Sequence, residues 1–211
     1  MAVQAHSTKP YQTFADLTLD SAARTPEALA LADDSLQLTF HELTCAAHAL
    51  ARQFEARGVA VGDHIALVGP HCVTQAVAIL AAGLLGAAFV PLDPALPPAR
   101  LRLLLANAHP RLVVASESLA TKVGLTAASP CEPLLTREAF FDWRSAEQIV
   151  RAQSGVRRPP VLVQPSKLIR PDDVAYIIYT ASATGHPKGV QIQHAALVTF
   201  FESYNVQVGI G

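Results

Sequence analysis

The sequence predicts an α/β fold in which a mostly parallel sheet is flanked by helices. Short apolar segments rich in β-branched residues, such as residues 64–68, indicate buried strands. Segments with helical spacing of apolar residues separate the strands, and residues 73–85 are apolar on nearly all sides, which indicates a buried helix. Strands that alternate with helices are typical of parallel sheets, because each parallel strand needs a crossover connection.

The individual elements follow from local signals. A helix is expected to begin after Thr39, because Thr39 and Glu42 have the spacing of a capping box, and Gly58 is well placed to end it. An earlier helix begins near Phe14 and ends before Pro26. The other predicted helices cover residues 73–85, 99–108 and 194–204. The predicted strands cover residues 28–32, 36–38, 64–68, 87–92, 111–115, 174–179 and 190–193.

The segment over residues 116–170 is less regular. Its prolines break regular structure, and we expect residues 130–160 to form a surface excursion with one short helix at 145–152. A further short strand is expected at residues 161–163. The polar start of the chain, residues 1–12, is expected to be an N-terminal tail, followed by one domain over residues 13–211.

Composition argues against several classes of protein. The chain of 211 residues has a formal net charge of −1, so nothing indicates binding to nucleic acid or to an anionic membrane. The longest apolar run, residues 76–90, is shorter than the ~18 residues of a membrane-spanning helix. The start of the chain lacks the apolar core of a secretory signal. Widely spaced Cys45, Cys72 and Cys131 favour reduced thiols and a cytoplasmic location.

One loop carries the pattern of a phosphate-binding site. The strand at residues 174–179 leads into Thr180-Ala181-Ser182-Ala183-Thr184-Gly185-His186-Pro187-Lys188-Gly189. Small side chains let backbone N–H groups approach anionic oxygens, hydroxyls donate further hydrogen bonds, and the lysine adds a positive charge. The loop is not a P-loop, because Gly185 lacks the required spacing to a Gly-Lys-Ser/Thr sequence, and the dinucleotide fingerprint Gly-x-Gly-x-x-Gly is absent.

The loop resembles the signature loop of the AMP-forming adenylate ligases, which include acyl-CoA synthetases, luciferases and the adenylation domains of nonribosomal peptide synthetases. That loop reads roughly Tyr-Thr-Ser-Gly-Thr-Thr-Gly-x-Pro-Lys-Gly-Val. This chain departs from it at Ala181, Ser182 and Ala183, where the family has Ser, Gly and Ser or Thr. The positions that agree are Tyr179, Thr180, Thr184, Gly185, Pro187, Lys188, Gly189 and Val190.

Two upstream segments resemble the same family. Residues 38–43 are similar to Leu-Thr-Tyr-x-Glu-Leu, and residues 86–94 are similar to Gly-Ala-Ala-Tyr-Val-Pro-Leu-Asp-Pro. The second segment, with Pro-x-Arg-Leu at residues 98–101, favours an adenylation domain of a peptide synthetase over an acyl-CoA synthetase. The resemblance spans about residues 14–200. It implies the N-terminal part of the large domain of an adenylate-forming ligase, with an incomplete sheet.

The resemblance also implies an activity. A complete relative condenses a carboxylic acid, here expected to be an amino acid, with ATP to give an acyl-adenylate and pyrophosphate. The loop would hold the β- and γ-phosphates of ATP. The nucleotide-binding residues that the resemblance assigns are Thr180, Ser182, Thr184, Gly185, Lys188 and Gly189. Complete members also use magnesium, but neither a metal ligand nor a catalytic residue is identified in this chain.

Several functions of the family lie beyond the position of Gly211. They include the adenine-contacting aromatic motif, the acidic residue that holds magnesium, the ribose-binding aspartate and the C-terminal subdomain with its catalytic lysine. The expectation is therefore that this chain is the N-terminal part of a ligase and is inactive by itself. A complementing C-terminal polypeptide would then be a partner. The alternative, from another class, is an inactive binding or assembly module, or a gene fragment without a function of its own.

Smaller patterns favour structural roles. His41, Cys45 and His48 share one helix face, as zinc ligands can, but no fourth ligand is apparent; a semi-buried Cys45 between partly exposed histidines is favoured. Ser182 lacks the Gly-x-Ser-x-Gly context of a hydrolase nucleophile. Cys72 beside His71 is favoured as a helix entry over a catalytic dyad, because sequence neighbours need not face each other.

Overall fold

The computed structural model describes residues 13–124, 140–156, 169–180 and 187–208. Its helices are α1 (Phe14–Arg24), α2 (Phe40–Glu55), α3 (Val73–Leu85), α4 (Pro98–Ala108), α5 (Glu117–Val123), α6 (Trp143–Gln153) and α7 (His194–Val208). Its strands are β1 (Leu29–Ala32), β2 (Gln37–Thr39), β3 (His64–Val68), β4 (Ala88–Leu92), β5 (Leu112–Ala115), β6 (Phe140–Asp142), β7 (Val174–Thr180) and β8 (Lys188–Gln193). The predicted tail at residues 1–12 and the predicted strand at 161–163 lie outside the described residues.

A six-stranded sheet forms the centre of the fold, in the order β6-β5-β3-β4-β7-β8. Neighbouring strands are parallel, except for β7 and β8, which are antiparallel. β1 and β2 form a separate antiparallel hairpin. The predicted α/β class with a mostly parallel sheet is therefore confirmed. Because β4 and β5 lie on opposite sides of β3, right-handed crossovers place α3 and α4 on opposite faces of the sheet.

Two hydrophobic cores lie on the two faces of this sheet. On β3, Ile65 and Leu67 pack into the core that α1, α2, α3 and α6 cover, whereas Ala66 and Val68 pack into the core that α4 and α5 cover. Side chains along a strand alternate between faces, and here both faces are covered. This explains why β3 is a continuous apolar run in the sequence after His64.

The helix-start signal at Thr39 is confirmed. Thr39 Oγ1 accepts a hydrogen bond from the Glu42 backbone N–H at 3.2 Å, and Glu42 Oε2 accepts one from the Thr39 N–H at 2.8 Å. The helix ends at Glu55, and Gly58 closes the following turn with φ of 80°. Gly58 thus terminates the α2 region as predicted, although two residues separate it from the last helical residue.

The start of α3 is capped by a residue distant in sequence. The N-cap residue Cys72 makes no side-chain capping bond, and Asp33 Oδ2, from the turn between β1 and β2, accepts a hydrogen bond from the Val73 N–H at 2.8 Å. This bond and those from Ser35 lower the pKa of Asp33 to about 2, because they stabilise its ionised form. The Asp33 carboxylate therefore ties the β1–β2 hairpin to α3.

The expectation of a surface excursion over residues 130–160 is wrong for its described part. Phe140–Asp142 is the edge strand β6, and α6 covers Trp143–Gln153, beyond the predicted residues 145–152. Phe141 is 2% exposed and Val150 is fully buried. The prolines on which the expectation relied flank this strand and helix without interrupting them. The helix α6 is amphipathic and packs against α2, so this part of the chain belongs to the core and not to a surface excursion.

The last elements are much less covered than the rest, and we call them the β7–β8–α7 region (residues 174–180 and 187–208). Lys188 to Gln191 are all exposed along β8, which is the edge of the sheet. Large apolar side chains of this region that remain exposed are Ile178, Val190, Phe200, Phe201 and Tyr204. An edge strand with exposed apolar neighbours is a surface on which another chain can pair or pack.

Two further expectations concern membranes and cysteines. Among the helices that the structure describes, none is long and apolar enough to cross a membrane. The very apolar α3 has 13 residues, most of them buried between the sheet and other helices. Cys45 and Cys72 are free thiols, and Cys131 lies outside the described residues.

Candidate functional site

The candidate site lies where β7 ends and β8 begins. Thr180, the last residue of β7, is opposite Lys188, the first residue of β8, in the antiparallel register. Both residues are exposed. Because β7 runs parallel to β4, Thr180 lies at the edge of the sheet where the carboxyl ends of the parallel strands meet. Open α/β sheets bind their ligands outside this edge.

The structure brings three of the predicted nucleotide-binding residues together. At the open end of the β7–β8 pair, Thr180 on β7 lies opposite Lys188 on β8, and Gly189 follows Lys188. Ser182, Thr184 and Gly185 lie outside the described residues, so their assignment stays a prediction. Lys188 makes no salt bridge within the described part of the chain, which leaves its ammonium group available to an anion.

Tyr179, which precedes the loop, connects this end of β7 to helix α4. Its hydroxyl group donates a hydrogen bond of 2.8 Å to Asn107 Oδ1 near the end of α4. Burial raises the pKa of the Tyr179 phenol, so the hydroxyl group keeps its proton and remains a donor at neutral pH. Nothing in the sequence indicates this contact, because the two residues are separated by 72 positions.

Gly189 has a packing role that its place in the motif does not reveal. A Cβ atom on Gly189 would lie 2.9 Å from Ile177 Cγ2 and 3.3 Å from Tyr179 Cε1. The absence of a side chain therefore leaves room for the Tyr179 ring, which is opposite Gly189 in the register of β7 and β8. A contact between the Gly189 backbone and a phosphate stays a prediction.

The histidines and the cysteine of α2 serve packing. His41 Nε2 lies 2.9 Å from the Val156 carbonyl oxygen and 3.6 Å from Cys45 Sγ. Burial raises the pKa of the Cys45 thiol, so the thiolate that binds metals is disfavoured. His48 was expected to be partly exposed, but it is 1% exposed because α2 packs against α1, α3 and α6. Within the described residues, no group of three His, Cys, Asp or Glu side chains could hold a metal ion.

The remaining alternatives gain no support. His71 Nδ1 lies 2.9 Å from Gln75 Oε1, and Cys72 is the N-cap residue of α3, as expected for a helix entry. Ser182, the residue weighed as a hydrolase nucleophile, lies outside the described residues. The structure therefore assigns His71 and Cys72 to the start of a helix.

The fold and the site together define a class of protein. The chain has a mostly parallel sheet that ends in the antiparallel β7–β8 pair, which is the fold of the N-terminal part of the large domain of adenylate-forming ligases. The solved structure of VinN matches with a TM-score of 0.75 and 28% sequence identity, over 95% of this chain and 48% of VinN.

The family follows directly from the sequence match. The model of the family described as AMP-binding enzyme matches residues 19–210, and the chain belongs to this family. Surfactin synthase subunit 2 of Bacillus subtilis (strain 168) is 33% identical over 179 residues, which are 85% of this chain and 4% of that protein. The probable non-canonical nonribosomal peptide synthetase CymA of Salinispora arenicola (strain CNS-205) is 32% identical over 179 residues, 84% of this chain and 2% of that protein.

These relatives locate the chain within the family. Its likeness to peptide synthetases agrees with the predicted resemblance to their adenylation domains. The chain spans only a small part of their length and about half of VinN. The activity of a whole relative is therefore a matter of proposal for this chain.

Proposed function

We propose that this chain is the N-terminal part of an ATP-dependent ligase that activates a carboxylic acid as an acyl-adenylate. The observation that carries this proposal is the pairing of Thr180 with Lys188 at the carboxyl edge of the sheet, in a chain of the AMP-binding enzyme family. An amino acid is the proposed substrate, because the relatives include a peptide synthetase and VinN has been solved with L-aspartate. The proposed domain covers residues 13–211, and its proposed location is the cytoplasm.

In this proposal, the paired strand ends hold the β- and γ-phosphates of ATP. The Thr180 hydroxyl group and the Lys188 ammonium group would donate charge-assisted hydrogen bonds to phosphate oxygens. Ser182, Thr184, Gly185 and Gly189 would add the remaining donors. Holding the phosphates orients pyrophosphate for departure as a carboxylate attacks the α-phosphorus, and it stabilises the charge that develops on the leaving group.

Magnesium, which complete members of the family use, has no identified ligands here. The described residues lack a cluster of acidic or histidine side chains that would fit the ion. We therefore assign no residue to magnesium. The contribution proposed for this chain is restricted to binding and orienting the phosphates.

Calorimetry with ATP, GTP and tripolyphosphate tests the site. We expect weak binding of all three ligands, insensitive to the base and weakened by salt, because the proposed contacts are electrostatic contacts to phosphate. Lys188→Ala should weaken binding at least tenfold, since a hydrogen bond to a charged group contributes ~1.5–3 kcal/mol. Arg102→Ala removes an equal charge from an exposed position on α4 and should have little effect. Tight adenine-selective binding, or binding indifferent to Lys188→Ala, would contradict the proposal.

A triple substitution toward the family pattern provides a gain-of-function test. Ala181→Ser, Ser182→Gly and Ala183→Thr together should tighten binding of tripolyphosphate and ATP by a similar factor. No preference for adenine should appear, because the changes add no contact to the base. Unchanged affinity for the triphosphate would argue against the assigned role of these loop positions.

The isolated chain is proposed to be unable to complete the reaction. Adenylate formation would be measured as ATP–pyrophosphate exchange with each amino acid. We expect no exchange, because the role proposed for this chain is limited to binding and orienting the phosphates. Robust exchange that Lys188→Ala abolishes would overturn this part of the proposal.

A second candidate function is an assembly module, and the exposed apolar surface of the β7–β8–α7 region favours it. Phe200 is 60% exposed and Tyr204 is 49% exposed. Both lie on the helix that follows β8, the edge strand of the sheet, whose outer side has no partner strand among the described residues. We propose that this surface receives a complementing polypeptide that carries the rest of the fold, since the chain matches about half of VinN. Alone, the chain should self-associate or bind a dye for apolar surface, and Phe200→Ser should reduce the dye signal. A monodisperse monomer without dye binding and with a cooperative melt would exclude this candidate.

A further inference from the structure

The carboxyl end of β7 extends beyond its pairing with the central sheet. In the described residues, the register of β4 and β7 aligns Phe89 with Tyr176, and the two rings stack with centroids 5.2 Å apart. The following residues continue toward Thr180 with β8 as their paired neighbour. Ile178 in this stretch is 44% exposed. The carboxyl end of β7 is therefore partly open to solvent at Ile178, although Ile177 is buried in the core that α4 and α5 cover.

Asn107 supplies a contact at that end. Its Oδ1 accepts the 2.8 Å hydrogen bond from the Tyr179 hydroxyl group. Asn107 is exposed, but its neighbours Leu104, Leu105 and Ala108 are at most 3% exposed and fix α4 against the sheet. The acceptor is thus carried by a well-packed helix, and the donor lies one residue before Thr180.

The Tyr179 ring is also adjacent to β8. It lies opposite Gly189, which has no Cβ atom that would crowd the ring. Gly189 directly follows Lys188 in the sequence. A ring held at its hydroxyl group by α4 and packed against the Gly189 backbone restrains both strand ends at once. Thr180 and Lys188 are the residues next to these two restrained positions.

We propose that Asn107 is a positioning residue that, through Tyr179, fixes the placement of Thr180 and Lys188 relative to each other and to the sheet. This inference rests on the proposed function for its consequence in phosphate binding. The restraint itself, between α4 and the paired strand ends, does not depend on that function.

A double-mutant cycle on the full chain tests the proposal. The variants are Asn107→Ala, Tyr179→Phe and the two combined, and Arg102→Ala is the matched control on the exposed side of α4. Tripolyphosphate is the probe in calorimetry. Each single change should weaken tripolyphosphate binding by about threefold, which is within the range expected for the loss of one neutral hydrogen bond. The double change should weaken it no further, because both single changes remove the same bond. Additive effects, or no effect, would overturn the proposal.

A second readout is independent of ligand. Backbone amide hydrogen exchange of Thr180, Lys188 and Gly189 should become about threefold faster in Asn107→Ala and in Tyr179→Phe, whereas amides of β3 should be unchanged. If the unmodified chain does not bind tripolyphosphate, the proposed function fails, and the exchange rates alone then decide on the role of Asn107. Unchanged exchange at Lys188 and Gly189 overturns it, and equal acceleration in β3 shows a merely global effect and overturns it too.

Discussion

Two parts of the molecule differ in how well their apolar side chains are covered. One part comprises the strands β6, β5, β3 and β4, and the other is the β7–β8–α7 region, whose two strands continue the same sheet. On β3 and β5, residues 65–68 and 112–115 are at most 2% exposed, with helices on both faces. In the β7–β8–α7 region, Val190 is 43% exposed and Phe200 is 60% exposed. The first group of strands is covered on both faces, whereas the second combines buried residues such as Ile177 with large apolar side chains that remain exposed.

This difference has a functional meaning, because the less covered region carries the candidate site. Binding elements are commonly drawn from the less stable parts of a structure. Here Thr180 and Lys188 lie in the region whose side chains are most exposed to solvent, while the well-packed strands carry no residue of the proposed site. The packed strands and helices provide the frame against which the strand ends are placed.

The largest expected effect compares one phenylalanine from each region. Phe54 is fully buried, and its ring makes an edge contact with Phe141 at 5.7 Å between centroids. Phe54→Ala should lower the free energy of unfolding by about 3–5 kcal/mol, because it leaves a cavity in the core. Phe200→Ala, at an exposed position, should change it by at most about 0.5 kcal/mol. Denaturant titration of both variants measures this, and similar losses would contradict the contrast between the regions.

Two glycines extend the comparison to overpacking. A Cβ atom at Gly69 would clash with the indole ring of Trp143, whose Nε1 donates a hydrogen bond of 2.9 Å to the Val68 carbonyl oxygen. Gly69→Ala should lower the free energy of unfolding by about 1–3 kcal/mol. The fluorescence of Trp143, the single tryptophan of the chain, should shift to the red as the ring is displaced. Gly189→Ala should cost less, since the exposed β7–β8 end can adjust, and an equal cost would refute this.

Two buried histidines predict a loss of stability in acid. His48 in α2 and His194 in α7 are 1% and 0% exposed, and their ring nitrogens have no hydrogen-bond partner among the described residues. Burial lowers the pKa of both imidazoles; for His194, the charges of Asp173 and Asp16 partly oppose this.

The unfolded chain therefore binds protons that the folded chain resists as the pH falls below about 6.5. The free energy of unfolding should be highest above that pH and should decrease by at most about 1.4 kcal/mol per pH unit for each histidine. Replacing His48 by Gln should make denaturation less dependent on pH between 7.5 and 5.5. An unaltered pH dependence in both His48→Gln and His194→Gln would exclude these residues as its cause.

Local signals in the sequence predict much of the packed part of the fold. β3 and α3 were predicted with the bounds that the structure shows, because apolar runs, turn residues and chain direction agree there. β6 was missed, since its three residues carry little periodicity and its burial depends on pairing with β5. The prolines that flank this segment favour irregular structure, but the contacts of Phe141 and Val150 with the core determine its place in the fold.

The sequence motif predicts the residues of the candidate site but not the contacts that hold them in place. Thr180 and Lys188 follow from the pattern of residues, and the structure places them opposite each other. The Tyr179 hydrogen bond next to the site reaches Asn107, 72 positions away in the sequence. The bond that ties the β1–β2 hairpin to α3 is similar, because 40 positions separate Asp33 from Val73. No local pattern encodes a side-chain hydrogen bond across that distance.

Amide hydrogen exchange along the whole chain tests the contrast between the two regions most directly. Amides of β3 and β5 should exchange only when the protein unfolds globally, because helices cover both faces of these strands. Amides of β8 and of α7 after Val198 should exchange orders of magnitude faster, through local opening. Equal protection of β8 and β3 would show that the β7–β8–α7 region is as self-sufficient as the rest of the sheet and would contradict the account.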